Sequence, residues 1–220
     1  MCFTVSIYAT THVIETSLGA VFDNEAAYQP HFKITGFVFP SLPVIANDDP
    51  SRIQMMDWGL IPRWTKDRAK ADELRKMTLN ARSETLFEKP SFRDAIAKRR
   101  ALLPVNGFVE WRHEGKLKIP HYVHMHDESL FTLGCIWEEW TDTVSGELST
   151  TFSIVTTEAN ELMSYVHNVK QRMPLIIEPH VREHWLASDD RDELERIMRP
   201  LADGQLEADV LRNGRPVNDW

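Results

Sequence analysis

The sequence predicts a single α+β domain built on a curved, partly barrel-like antiparallel β-sheet flanked by short helices. Three observations carry that prediction. Short β-rich runs bounded by turn residues outnumber the helical stretches and do not alternate with them regularly, which argues against a parallel α/β sheet. The chain of 220 residues is long enough to bury roughly 70% of its unfolded surface around one core, and neither a repeat nor a linker divides it. With 42% hydrophobic, 26% charged and 10% aromatic residues, the composition excludes disordered, collagenous and low-complexity architectures.

Taken in order, residues 3–9 alternate as a strand, with Phe3, Val5 and Ile7 on one face. Thr10 or Thr11 caps a short helix whose apolar positions Ile14, Leu18, Val21 and Phe22 keep the helical period. Residues 33–39 and 53–58 read as strands on either side of the turn-rich Asn47-Asp48-Asp49-Pro50. Helical propensity dominates 69–77, and short helical pieces follow Asn80. A β-rich middle comes next, with strands at 101–103, 107–112, 120–125, 130–137 and 151–157. The pattern then predicts helix over 158–166, a strand at 175–177, and helices at 179–186 and 191–198. The domain core is expected over about 2–187, with a helical extension to 220.

No apolar run approaches the 18 residues of a membrane span, and the first residues lack the basic and apolar regions of a secretory signal. A cytoplasmic protein is expected. Cys2 and Cys135 stand far apart and are expected to be thiols. The net charge of −8 argues at first against a polyanionic partner. Its distribution argues the other way: between Arg63 and Arg100 twelve Lys/Arg face six Asp/Glu, so that segment carries +6 and the remainder −14. A local basic face is enough for nucleic acid, because charge beyond a Debye length of about 8 Å is screened.

Cys2 is the most informative position. Removal of Met1 would leave an α-amine and a thiol on adjacent carbons, and an α-amine of pKa near 7.8 is unprotonated roughly 300-fold more often at neutral pH than a lysine. Such an amine condenses with an aldehyde, and the thiol then closes a five-membered thiazolidine; the alternative is a small buried hydrophobe. Trp58-Gly59-Leu60-Ile61-Pro62-Arg63-Trp64 sets two aromatics beside cations, the pairing single-stranded nucleic acid asks for, or else fills the core under a turn. Asn80 and Arg82 offer an amide and a planar cationic fork, or a helix cap and a solvated arginine. In Gly107-Phe108-Val109-Glu110-Trp111 a carboxylate sits in an apolar strand; burial would raise its pKa towards neutrality, whereas exposure would make it the polar half of an alternation. His167 closes a helical stretch before Arg172-Met173-Pro174 and can polarise or protonate a hydroxyl, or merely end a helix. His121, His124 and His126 lack zinc-site spacing, Cys135 reads as core, and no phosphate-cradling or dinucleotide motif is present, so neither metal nor cofactor is expected.

Together with Thr156-Thr157-Glu158-Ala159-Asn160, these pieces resemble the SRAP family of SOS-response-associated, abasic-site-processing proteins over residues 2 to about 187. The resemblance implies an α+β SRAP domain, acting as a monomer on single-stranded DNA at the nucleoid. It implies a covalent thiazolidine between a mature N-terminal Cys2 and the ring-opened aldehyde of an abasic site. By position, Cys2 matches the nucleophile, Asn80 the residue holding the lesion, Arg82 a backbone contact, Glu110 the proton-transfer carboxylate and His167 the imidazole aiding ring opening. Pro40, Trp58, Arg63, Trp64 and Arg172 fall where the family meets DNA. Two departures stand out. Phe3-Thr4 replaces the usual Gly-Arg, removing one phosphate-binding cation, and Asn168-Val169-Lys170-Gln171 lengthens the step from His167 to Arg172, with Lys170 as a substitute cation. The rival readings are an N-terminal-nucleophile hydrolase and a non-covalent single-strand binder. The resemblance reading requires an exposed aminothiol on the floor of a cationic groove.

Overall fold

The computed structural model describes residues 2–212 and the backbone of 215–216. Its strands are β1 (Thr4–Ile7), β2 (Val21–Phe22), β3 (His31–Thr35), β4 (Ser41–Ala46), β5 (Arg52–Trp58), β6 (Asn80–Arg82), β7 (Arg100–Val105), β8 (Gly107–Glu114), β9 (Leu117–Met125), β10 (Phe131–Thr141), β11 (Leu148–Glu158), β12 (Arg172–Pro174), β13 (Ile176–Ile177), β14 (Leu206–Arg212) and β15 (Arg215–Pro216). The helices are short: α1 (Thr11–Leu18), α2 (Arg68–Arg75), α3 (Arg93–Lys98), α4 (Glu161–Val166), α5 (Arg182–Ala187) and α6 (Arg191–Ile197).

Two sheets share the core. In the first, β11, β10, β7, β4 and β5 run side by side, and β5 returns to β11 in parallel at Thr151↔Asp57 and Phe152↔Trp58, closing a five-stranded barrel. Closure removes both edges of that sheet. Trp58 is fully buried, stacks on Phe152 at 6.3 Å between ring centroids, and donates its indole N–H to the Leu79 carbonyl at 2.8 Å. The second sheet, in the order β15-β14-β9-β8-β1-β3, is antiparallel throughout and carries β8 near its centre. Gly107 opens β8 because a Cβ there would meet the Tyr122 ring at 2.4 Å.

Buried Arg100 ties the barrel to its helices. Its guanidinium donates to the carbonyls of Ile96, Trp185, Leu186 and Ser188, capping the C-terminal ends of α3 and α5. Four expectations change. Gly19, at φ 67°, stops α1, so Val21 and Phe22 form β2 rather than a further helical turn. The strand expected over 33–39 ends at Thr35, and Gly36–Val38 turn as a short 3₁₀ helix with Phe39 left-handed at φ 51°. The helix-cap alternative for Asn80 falls, because Asn80 opens a strand, while the short helical pieces expected after it are present. The extension expected to be helical after residue 187 holds α6 and then returns as β14, pairing β9 from Leu206↔Met125 to Val210↔His121; residues 213–214 and 217–220 lie outside the described residues. Among the described residues no helix is long and apolar enough to cross a membrane.

Candidate active site

β1 and β8 pair at Val5↔Phe108 and Ser6↔Gly107. The same register carried two residues back sets Phe3 beside Glu110, and both line a cavity of about 490 Å³ with Trp111, His113, Lys118, His167 and Lys170. The cavity lies where the end of α4 meets β8.

Glu110 stands in the apolar run of β8 and is only 3% exposed. Burial pushes its carboxyl up to about 7, so it holds comparable amounts of acid and base at neutral pH. The same carboxyl bears on Cys2: burial first, and then the Glu110 charge, raise the Cys2 thiol well above its ordinary range. The thiol donates to the Thr4 carbonyl at 3.8 Å and is 0% exposed. The expected exposed aminothiol is therefore corrected in this form of the chain, which retains Met1: the thiol is enclosed and protonated and is not among the residues that line the cavity.

His167 ends α4 and is 8% exposed. Its Nδ1 lies 2.9 Å from the Arg172 carbonyl, which can only accept, so Nδ1 carries the proton and Nε2 the lone pair. Burial, with Lys170 and His113 nearby, brings the imidazole down to about 4. The neutral ring accepts a proton at Nε2 at physiological pH; it does not offer one. The longer step to Arg172 leaves this bond intact, because Asn168 braces the loop: its Oδ1 accepts from His113 N–H at 3.0 Å and its Nδ2 donates to the His113 carbonyl at 2.8 Å.

The other expected residues divide. Asn80 lies beside Ile154 on β11, 9% exposed, and neither end of its amide has a hydrogen-bond partner among the described residues, an unmet cost that a bound ligand can relieve. Arg82, two residues on, is exposed and faces no carboxylate in an ion pair among the described residues. Trp64 is 47% exposed and Pro40 half-buried, so both remain on the surface. Trp58 does not: closed inside the barrel, it has no face for a base, and it is corrected to core. Arg172 is likewise committed inward, its guanidinium gripping Glu84 through both nitrogens and donating to the Thr156 carbonyl at 2.7 Å. Arg63 is half exposed but pairs with buried Glu138 at 3.1 Å. His124 and His126 bond Asp209 and Glu207, and among the described residues no group of metal-capable side chains converges.

Sequence reasoning missed Phe37 and Val38, which are 58% and 67% exposed on the 3₁₀ turn next to the cavity. Phe37 packs on Phe3 with ring centroids 4.9 Å apart. The apolar run Phe37-Val38-Phe39-Pro40 looked like a strand; Gly36 before it and Pro40 after it are the turn signals that mark it otherwise. Lys118 also escaped notice, since nothing local distinguishes it, and Trp111 and Asn168 entered only as members of longer runs.

Comparison with known proteins agrees with this architecture. A solved structure of a Bacteroides thetaiotaomicron protein superposes with a TM-score of 0.92 at 38% identity, covering 96% of this chain and 93% of its own. The abasic site processing protein YoqW of Bacillus subtilis (strain 168) is 34% identical over 190 residues, 84% of this chain and 80% of the relative. The abasic site processing protein HMCES of Gallus gallus is 30% identical over 208 residues, 80% of this chain and 60% of that longer relative. The family model for the SOS response associated peptidases matches residues 1–214, and the chain, with Glu110 and His167 lining one cavity and the Glu110 charge bearing on buried Cys2, belongs to that family.

Proposed function

We propose that this protein captures abasic sites in single-stranded DNA as a covalent thiazolidine on Cys2, once Met1 has been removed, and so shields the lesion. The observation that carries this reading is that Glu110, whose charge bears on the buried Cys2 thiol, lines one cavity with His167, Phe3 and Trp111. In the closed sugar, His167 Nε2 takes the C1′ hydroxyl proton, the C1′–O4′ bond breaks, and the proton passes to O4′, leaving an aldehyde. Glu110 as carboxylate takes a proton from the Cys2 α-ammonium. The amine adds to C1′ as one of its protons passes to the carbonyl oxygen, and Glu110 returns its own proton to that oxygen, which leaves as water and gives a protonated imine. The thiol sulfur then adds to the imine carbon while its proton moves to nitrogen, closing the ring with net loss of one water. Asn80 supports the lesion and Arg82 the backbone, with exposed Phe37, Val38 and Trp64 and half-buried Pro40 as surface for bases. The same acid–base pair would serve Met1 removal by the protein itself and reversal of the crosslink.

The test is incubation with a single-stranded oligonucleotide bearing one abasic site, followed by a denaturing gel and intact-mass measurement. A heat-stable band is expected only from protein lacking Met1, and Cys2→Ser abolishes it. Amide turnover without that band favours a hydrolase; a salt-sensitive native-gel shift alone favours a non-covalent binder.

A further inference from the structure

We propose that Lys118 and Lys170 form a two-cation phosphate clamp on the lip of the cavity, holding the backbone of the lesion-bearing strand over Glu110 and His167. The inference rests on the function proposed above and adds the contact that aligns the strand. Both lysines line the cavity, and they arrive from different elements. Strand pairing places Lys118 directly across from His113 on the β8–β9 hairpin. Asn168 bonds both ways to the backbone of that same His113, so the loop carrying Lys170 is docked on the same pair of strands. Lys170 stands three residues after His167, and His113, Lys118, His167 and Lys170 all line the one cavity.

Among the described residues neither lysine has a carboxylate in an ion pair, and Glu114 of the same hairpin is already held by Arg112 at 3.0 Å. Two exposed ammonium groups with no internal partner, facing one opening, suit an external anion spread over several oxygens. Within the proposed reaction that anion is a DNA phosphate.

The experiment measures the second-order rate of crosslinking to the abasic oligonucleotide across a salt series, for the wild type, Lys118→Gln, Lys170→Gln, Lys118→Arg and Lys170→Arg, all confirmed to lack Met1. Each Gln variant is expected to react several-fold more slowly at low salt and to reduce the slope of log rate against log salt by about 0.7, the value of one phosphate contact on a single strand. The Arg variants are expected to keep the wild-type slope. An unchanged slope in both Gln variants would overturn the clamp, as would Arg variants that lose as much as the Gln variants, which would assign the lysines a steric role. A wild type that forms no heat-stable adduct would instead sink the function on which the clamp rests.

Discussion

Two regions of this molecule are rich in cations, and they use them differently. In the segment from Arg63 to Arg100, Arg63, Arg68, Lys70, Arg75, Arg93 and Arg99 each meet a carboxylate, and Arg100 is consumed as a buried helix cap. Around the cavity, Lys118 and Lys170 meet none among the described residues. Seven of that segment's twelve cations are thus engaged within the fold, while Lys66, Lys76, Arg82, Lys89 and Lys98 have no ion pair among the described residues, and at the cavity two lysines from separate elements face the opening. Charge counted along a chain is not charge available in space.

The comparison is sharpest where the two kinds of residue are removed. Arg100→Ala would leave four carbonyls at the ends of α3 and α5 without their donor and open a cavity beside Trp185; destabilisation of about 3–5 kcal/mol is expected in urea unfolding. Trp58→Ala should cost a similar amount, about 3–5 kcal/mol, because the indole is enclosed against Phe152. Trp64→Ala should instead cost under about 1 kcal/mol of stability and weaken binding of single-stranded DNA. If Trp64 proved the costly one and Trp58 the DNA contact, the division between structural and functional residues would be reversed.

How much of this was legible in the sequence follows from what each feature depends on. Glu110 was legible because the alternation of β8 sets a carboxylate among apolar neighbours, and a local pattern suffices to flag it. The Thr10 cap was legible too, accepting from Val13, whereas the helix expected from 158 starts only at Glu161, where Asn160 accepts from Met163. β4 was not, because Pro43 within it argues against a ladder strand, yet Pro43 pairs with Met55 inside the barrel. β6 was hidden because Asn80 gains its strand conformation only from β11, some seventy residues away in sequence. The charge map is incomplete for the same reason. Glu138 reaches Arg63 and Arg99 from a distant strand, and no one-dimensional count can see those pairs.

A smaller effect separates the cavity from the barrel through pH. Glu110 titrates near 7 in the folded chain against an ordinary 4.5, so folding favours its neutral form. That contribution is full below pH 4.5 and is lost as the pH rises through 7, where the carboxylate must be held in an apolar strand. Glu110→Gln, which cannot ionise, should therefore gain on the wild type between pH 4.5 and pH 8, by about 2–3 kcal/mol in chemical denaturation. At the same time it should slow crosslinking more at pH 6 than at pH 8, where the α-amine is already deprotonated. A stability difference that does not move with pH would mean that water reaches the carboxyl, and would return Glu110 to the polar half of an alternating strand.

The smallest expected effect is the one most able to break the comparison. Lys70 lies in the basic segment but is exposed on α2 and bonded to Glu73 at 2.7 Å, three residues on. Such a pair contributes about 0.2–0.5 kcal/mol, and at physiological salt the field of either partner fades within about 8 Å. Lys70→Gln should thus change stability by under about 0.5 kcal/mol and leave the salt dependence of crosslinking where it was, in contrast to Lys170→Gln. A clear loss of slope on removing Lys70 would mean that the strand crosses α2 and that the local ion pairs open to receive it. The footprint would then be the basic segment after all, with the lysines at the cavity as its continuation.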